Sequence, residues 1–328
     1  MLTLPAFALH RPTTAAQAVQ TQAETGGRYV AGGTDLLPNL KHGLDAPEHL
    51  IAVDHLPELH GAAPHRGGVL LGAGLSLHHL ATDPAVRAHA AALAEAASQV
   101  AGPQHRRMGT LGGNVMLDTR CLFLNQTQAW RDALGGCLKA DGDWCHVLGS
   151  RKACVAAQSS DTVPVLVALD AVVVAETTDG PVERPIRTLY GTDGRLDQLH
   201  DLPDGALVTG VWLPPRVPRQ RTAYRKVRSR AAIDFPQVSV AVLIGQDASD
   251  AITHLEVVLG ALLPQPRRIR HLDAFLGASL TAEAIDAVAE HARRQARPQP
   301  QVHSDVDWRR EIVPVEVRRA LQGLTAPG

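Results

Sequence analysis

Tyr29-Val30-Ala31-Gly32-Gly33-Thr34-Asp35-Leu36-Leu37-Pro38 reads as the end of a short strand that runs directly into a glycine turn. Two adjacent glycines remove the Cβ atoms that would keep the main chain away from an anion, so successive N–H groups can face a phosphate without help from basic side chains. Upstream, Thr13 or Thr14 is a candidate N-cap for an Ala-rich helical run to Ala23, and Arg28 to Ala31 is strand-like. Downstream, a second strand, Leu50 to Val53, follows Pro47. Together these pieces predict a small α/β unit.

The turn chemistry recurs at Thr110-Leu111-Gly112-Gly113-Asn114. Neither turn is a Walker sequence, and neither fits G-x-G-x-x-G within a βαβ unit, so each taken alone is more often an ordinary turn. Gly72-Ala73-Gly74 reads as the end of the strand beginning at Gly68, with no ligand assigned. Ser76 and Thr82-Asp83-Pro84 precede Ala-rich helical stretches reaching Val100. Regular structure resumes over Val163 to Leu169 and Ala171 to Ala175, and Leu207 to Leu213 is a strand. Pro214, Pro215 and Pro218 mark a linker, which places a domain boundary near Val217. Beyond it, strands are expected near Tyr224 to Arg228, Val238 to Ile244 and His254 to Leu259, and helices over Thr281 to Gln295 and Pro314 to Leu321.

A chain of 328 residues with 45% hydrophobic content can bury two or three cores. A formal net charge of -1 supplies none of the basic surface that displaces counterions from nucleic acid, so no nucleic-acid partner is expected. No window approaches the length of apolar sequence that spans a bilayer, and the first twenty residues lack the pattern of a secretory signal. No membrane role and a cytoplasmic location are expected.

All four cysteines, Cys121, Cys137, Cys145 and Cys154, fall in a stretch from about 119 to 160 that sustains neither a strand nor a helix period. So long an irregular segment needs its own source of order, and a metal centre is one. Structural zinc usually draws on close C-x2-4-C pairs, and the spacing here, C-x15-C-x7-C-x8-C, has none, so an iron-sulfur cluster is preferred. Unpaired buried thiols and disulfides are the alternatives. Of the sixteen histidines, His105 and His146 lie near these motifs, and a hydrogen-bonded structural role is expected for both. Asp161 and Lys226 carry no signal by themselves, and no Ser-His-Asp grouping or H-E-x-x-H is present.

The stretch from Tyr29 to Pro38, then Thr110 to Asn114, then Asp161 ahead of Leu166 to Ala171, taken in that order, resembles the FAD-binding subunits of the xanthine dehydrogenase family of molybdenum hydroxylases. Tyr224 to Arg228 followed by Asp234-Phe235-Pro236 resembles the last domain of these flavoproteins. About forty residues stand between the second glycine turn and Ser160-Asp161, where ordinary members have almost none. That insertion resembles the one in the beta subunits of 4-hydroxybenzoyl-CoA reductases, through Asp118 to Cys121, Asn125-Gln126, Trp130-Arg131, Gly136 to Lys139 and Gly142 to Val147. A cluster-bearing insertion in periplasmic aldehyde oxidoreductase subunits is the next resemblance.

The resemblance implies an α+β fold. Its FAD-binding domain, residues 1–217, comprises two PCMH-type α/β subdomains of about 1–57 and 58–217, with an iron-sulfur insertion at about 119–160. A C-terminal domain of a small antiparallel sheet with helices, 218–328, follows. It implies FAD held by Tyr29, Val30, Ala31, Gly32, Gly33, Thr34, Asp35 and Leu36 and by Thr110, Leu111, Gly112, Gly113 and Asn114. Val100, Asp161 and Lys226 would contact the flavin or its ribityl chain, and Leu122, next to the first cysteine, would also touch the cofactor. A 4Fe-4S cluster would be held by Cys121, Cys137, Cys145 and Cys154. No acid-base catalytic residue is expected. The chain would be an electron-transfer subunit, passing electrons from ferredoxin through the cluster and FAD to a small 2Fe-2S subunit and a molybdopterin-containing large subunit, in a dimer of heterotrimers. Rival readings are the FAD subunit of a related aldehyde or heterocycle hydroxylase, a self-contained flavin oxidoreductase, and a zinc-stabilised binding protein.

Overall fold

A computed structural model describes residues 2–194, 201–302 and 304–325. The chain opens with β1 (Ala8–His10), α1 (Ala15–Thr25), β2 (Arg28–Val30), α2 (Leu36–Lys41) and β3 (His49–Ala52). Thr14 Oγ1 accepts the Gln17 N–H at 3.1 Å and starts α1, and Gly26, at φ +65°, ends it. The three strands are parallel in the order β1-β3-β2, with Leu9 opposite Leu50 and Tyr29 opposite Ile51. Parallel strands need crossovers: α1 joins β1 to β2 past the central β3, α2 lies between the neighbours β2 and β3, and α1 buries Ala15, Ala18 and Val19 in the same cluster as Ile51.

A second layer holds β4 (Ala62–His65), β5 (Gly68–Gly72), β6 (Val172–Thr177), β7 (Gly180–Pro185) and β8 (Leu207–Leu213), antiparallel in the order β4-β5-β8-β6-β7. Its core is made with α3 (Leu77–Thr82), α4 (Pro84–His89), α5 (Ala91–Ser98), α7 (Leu111–Val115) and α9 (Thr162–Ala168), whereas α6 (Pro103–Met108) buries no residue. Small Ala side chains let α5 lie close, and Val163 to Ala168 are buried on every face of α9. The single helix of the insertion, α8 (Gln128–Ala133), lies between α7 and α9 in the chain.

The C-terminal region is a four-stranded antiparallel sheet, β12-β11-β10-β9, of β9 (Arg221–Val227), β10 (Val238–Gln246), β11 (Ile252–Gly260) and β12 (Arg267–Arg268). It is covered by α10 (Ala282–Gln295) and α11 (Val306–Gln322). The α+β class expected from the sequence is the class observed. One helix differs: α11 begins at Val306, after the N-cap Asp305, whose carboxylate accepts the Trp308 N–H at 2.7 Å, and it carries Pro314 inside it. Proline usually marks a first turn, but Val313, Val317, Ala320 and Leu321 pack into the sheet's core, and Arg309, fully buried, donates to the carbonyls of Gln237 and Gln299 at 3.0 and 2.8 Å.

The insertion has a source of order that its sequence does not advertise. Its base is closed by a two-way main-chain pairing of Arg120 with Ala157, at 2.8 and 3.0 Å. The Arg131 side chain, 1% exposed, pairs with Asp141 at 2.7 Å and donates to Gln126 O at 2.6 Å and Gly43 O at 2.9 Å, which ties the insertion to the loop after α2. Lys139 is buried against Asp118 and Thr119. Buried cations satisfied this fully fix a loop where an apolar stripe is lacking.

Candidate functional site

The first glycine turn meets, main chain to main chain, Met108 and Gly109 just ahead of the second. A Cβ placed on Gly32 would lie 1.8 Å from Met108 O, and one on Gly33, whose φ is +66°, would lie 2.9 Å from Leu37 Cδ1. A cleft of about 350 Å3 opens where these segments meet, bordered by Gly32 and Thr110 and also by Gly74, Ser76, Arg107 and Met108. The N–H groups of residues 32 to 36 have no hydrogen-bond partner among the described residues.

The second turn is arranged differently. Leu111 and Gly112 N–H groups donate to Leu75 O at 2.8 Å and Ala73 O at 2.7 Å, Gly113 N–H to Thr110 Oγ1 at 3.1 Å, and Asn114 N–H to Thr110 O at 2.9 Å. These donors are spent on forming α7 and docking it to the exit of β5, leaving Thr110 as this turn's contribution to the cleft wall. Gly112 is required there, because a Cβ would come within 2.8 Å of Ala73 Cβ. Asn114 Oδ1 accepts from Ser160 and Thr162 hydroxyls, both at 2.7 Å, and so joins the turn to the segment around Asp161.

Asp161 and Lys226, unremarkable in sequence, are brought together as a buried pair at 2.7 Å, with Tyr224 OH donating to the other carboxylate oxygen at 2.6 Å and Lys226 Nζ also donating to Gln99 O at 3.0 Å. Burial pushes the carboxyl pKa of Asp161 up and that of the Lys226 ammonium down, each opposed by the other's charge. Neither borders the cleft. Val100 packs against the central core and its carbonyl accepts from Arg106 at 2.8 Å, whereas Leu122 is exposed. Tyr29 OH donates to Gly205 O at 2.6 Å. Gly74, Ser76, Arg107 and Met108 were not singled out by the sequence; the one available signal was Gly72-Ala73-Gly74, whose second glycine keeps the main chain clear of Leu59 and His60.

All four cysteines are free thiols, and all four line one enclosed pocket with Phe123, Leu124 and His146. Main-chain N–H groups point at the sulfurs: those of Phe123 and Leu124 at Cys121, those of Lys139 and Ala140 at Cys137, and that of Ala156 at Cys154 at 3.5 Å. Burial nonetheless pushes the thiols of Cys121 and Cys137 up, and that of Cys154 to about 11. His146 is hydrogen-bonded to Gly136 O at 2.7 Å and stacks on Phe123.

Among the described residues, no three His, Cys, Asp or Glu are grouped closely enough to hold a single metal ion. As ligands for an iron-sulfur cluster the residues fit in kind: four soft donors on one apolar pocket, with N–H groups aimed at sulfur, as cluster thiolates require. The space between them is about 10 Å3, room for about one water. For FAD, Gly32 borders the cleft and begins a run of N–H groups, residues 32 to 36, without partners among the described residues, which suits an anionic group.

Residues 5–216 match the family profile described as the FAD binding domain in molybdopterin dehydrogenase, and residues 222–324 match the CO dehydrogenase flavoprotein C-terminal domain. The chain is 34% identical over 290 residues to the aldehyde oxidoreductase FAD-binding subunit PaoB of Escherichia coli (strain K12), covering 86% of this chain and 89% of that one. It is 26% identical to the carbon monoxide dehydrogenase medium chain of Hydrogenophaga pseudoflava, over 98% of each. Among solved structures, carbon monoxide dehydrogenase from Hydrogenophaga pseudoflava superposes with a TM-score of 0.77 at 24% identity, over 98% of this chain and 97% of that one. Quinoline 2-oxidoreductase from Pseudomonas putida 86 superposes with a TM-score of 0.78 at 20% identity, over 99% of this chain and 100% of that one. Both share the fold.

Proposed function

This chain belongs to the family of FAD-binding subunits of molybdenum hydroxylases, of the xanthine dehydrogenase and carbon monoxide dehydrogenase type, and from that premise we propose that it is an electron-transfer subunit carrying FAD and a 4Fe-4S cluster. The observation that carries the cluster is the convergence of Cys121, Cys137, Cys145 and Cys154 on one pocket. Bound FAD would supply interconversion between one- and two-electron transfer, and a bound cluster one-electron transfer. The chain's own residues hold these groups. Gly32 and Gly33 let the turn close on Met108 and Leu37, the N–H groups of residues 32 to 36, left without partners among the described residues, would bind the pyrophosphate, and Thr110 completes the wall. The four thiolates ligate iron, and the N–H groups of Phe123, Leu124, Lys139, Ala140 and Ala156 stabilise their charge. No side chain is assigned an acid-base role.

On this reading the substrate is handled in a partner, a molybdopterin-containing large subunit, with a small 2Fe-2S subunit between them, and ferredoxin serves as donor to a complex resembling 4-hydroxybenzoyl-CoA reductase. The sequence of the insertion favours that reductase. A second reading, an aldehyde oxidoreductase, is favoured by the 34% identity to PaoB. Purification of the intact complex, with molybdenum, iron and acid-labile sulfide analysis, tests the assembly. Reduction of 4-hydroxybenzoyl-CoA by reduced ferredoxin, set against oxidation of aromatic aldehydes, separates the two substrates. A chain isolated alone and catalytically complete, or one holding a single zinc and no sulfide, overturns the proposal.

A further inference from the structure

Arg120 immediately precedes Cys121, and its main chain closes the base of the insertion on Ala157. Its side chain leaves the insertion. The guanidinium forms an ion pair with Asp35, the last residue of the first glycine turn, and stacks over the Phe235 ring at 5.2 Å. Arg120 is 14% exposed in its side chain and Asp35 41%, so the carboxylate is partly in solvent and the cation is enclosed beneath it. One guanidinium donor, Nε, is buried with no hydrogen-bond partner among the described residues.

Asp35 stands where a helix N-cap would stand, yet its side chain caps nothing: the third helical residue is Pro38, which has no N–H, and the Leu37 N–H is given to Gly33 O at 3.1 Å. The carboxylate accepts instead from Arg120 and, at 3.2 Å, from Asn39. Uncompensated, a carboxylate on the end of an N–H run that faces a diphosphate would repel it. We propose that Arg120 is a positioning residue for FAD: by neutralising Asp35 and holding it aside, it keeps the first glycine turn open to the pyrophosphate, and it makes that turn answer to the cysteine-bearing insertion. The inference rests on the assignment of FAD to this cleft. It also gives the insertion a second task, since any loosening of its base would release Arg120 and with it Asp35.

The full chain, stripped of flavin and titrated with FAD by fluorescence quenching, tests this. Arg120→Gln should weaken FAD binding by about tenfold or more, the scale of one lost charge-assisted contact, while iron content stays at the wild-type value. Asp35→Asn removes the charge that Arg120 offsets, so it should bind at least as well as wild type, and the double variant should recover to within about threefold of wild type, because a removed charge needs no partner. Arg120→Lys, which keeps the charge, should also bind within about threefold, and it decides the matter if Arg120→Gln does not fold. Unaltered affinity in Arg120→Gln, or a double variant as weak as Arg120→Gln, overturns the role of Arg120. Wild-type chain that takes up no FAD overturns the assignment of the cleft itself.

Discussion

Lys226 Nζ donates to Asp161 Oδ2 at 2.7 Å across 65 residues of chain, with neither side chain more than 5% exposed. The pair joins β9 of the C-terminal sheet to the start of α9, and Tyr224 OH holds the second carboxylate oxygen. Breaking one side of a buried pair leaves a charge without compensation, so Lys226→Met should cost about 3–5 kcal/mol of stability. Tyr224→Phe, which deletes one hydrogen bond to a buried carboxylate, should cost about 1–3 kcal/mol. Urea unfolding measures both, and a Lys226→Met loss below that of Tyr224→Phe would show that the pair does not bind the two regions together.

Gly32 and Gly113 should differ sharply although both belong to glycine pairs. Gly32→Ala drives a methyl into Met108 O and must part the first turn from the end of α6, whereas a Cβ at Gly113 meets only Thr110 Oγ1, at 3.2 Å. Gly32→Ala should therefore lose FAD on gel filtration, and Gly113→Ala should keep it, with a stability change of no more than about 1 kcal/mol. Gly33→Val, at φ +66°, should fail with Gly32→Ala. Equal FAD content in the Gly32 and Gly113 variants contradicts the close approach.

Replacing Cys137 with Ser should lower iron and sulfide content and slow reduction of the flavin by reduced ferredoxin. Most of the FAD should remain, because the glycine turns lie outside the insertion and the Arg131 clamp does not depend on a thiolate. A full complement of iron in the variant would remove Cys137 from the ligand set.

The clamp gives the insertion an acid-sensitive hinge. Burial alone would raise the Asp141 carboxyl, but the hydrogen bonds from Arg131 and from Cys137 N–H outweigh it and hold the pKa below the ordinary 3.8. A depressed carboxylate pKa contributes stability that is complete above the unfolded value and is lost as pH falls through the folded one. Protection of residues 119–160 from protease should thus hold steady above pH 3.8 and give way below it. Asp141→Asn should weaken protection near neutral pH and flatten the acid limb. Arg131→Met, which orphans the acceptors of a buried cation, should open the insertion at all pH values, at a cost of about 3–5 kcal/mol. An acid limb unchanged in Asp141→Asn would assign it to another group.

Local chemistry made much of the molecule legible from sequence alone. The Thr14 cap, the Asp83-Pro84 helix start and the apolar run of β8 are decided by a few neighbouring residues, so they are visible in the chain before it folds. The glycine pairs and the confinement of all cysteines to one irregular stretch are legible for the same reason. Tertiary structure decided what faces what. Only the fold brings Gly32 against Met108 and spends the donors of the second glycine turn on Ala73 and Leu75, so that two turns alike in sequence carry different donors to the cleft. The Asp161–Lys226 pair and the reach of Arg120 from the insertion to Asp35 depend on contacts between distant segments, and no periodicity announces a single charged residue. The same is true of α11, where packing of Val313 and Val317 and the buried Arg309 overrides a proline that reads locally as a helix start.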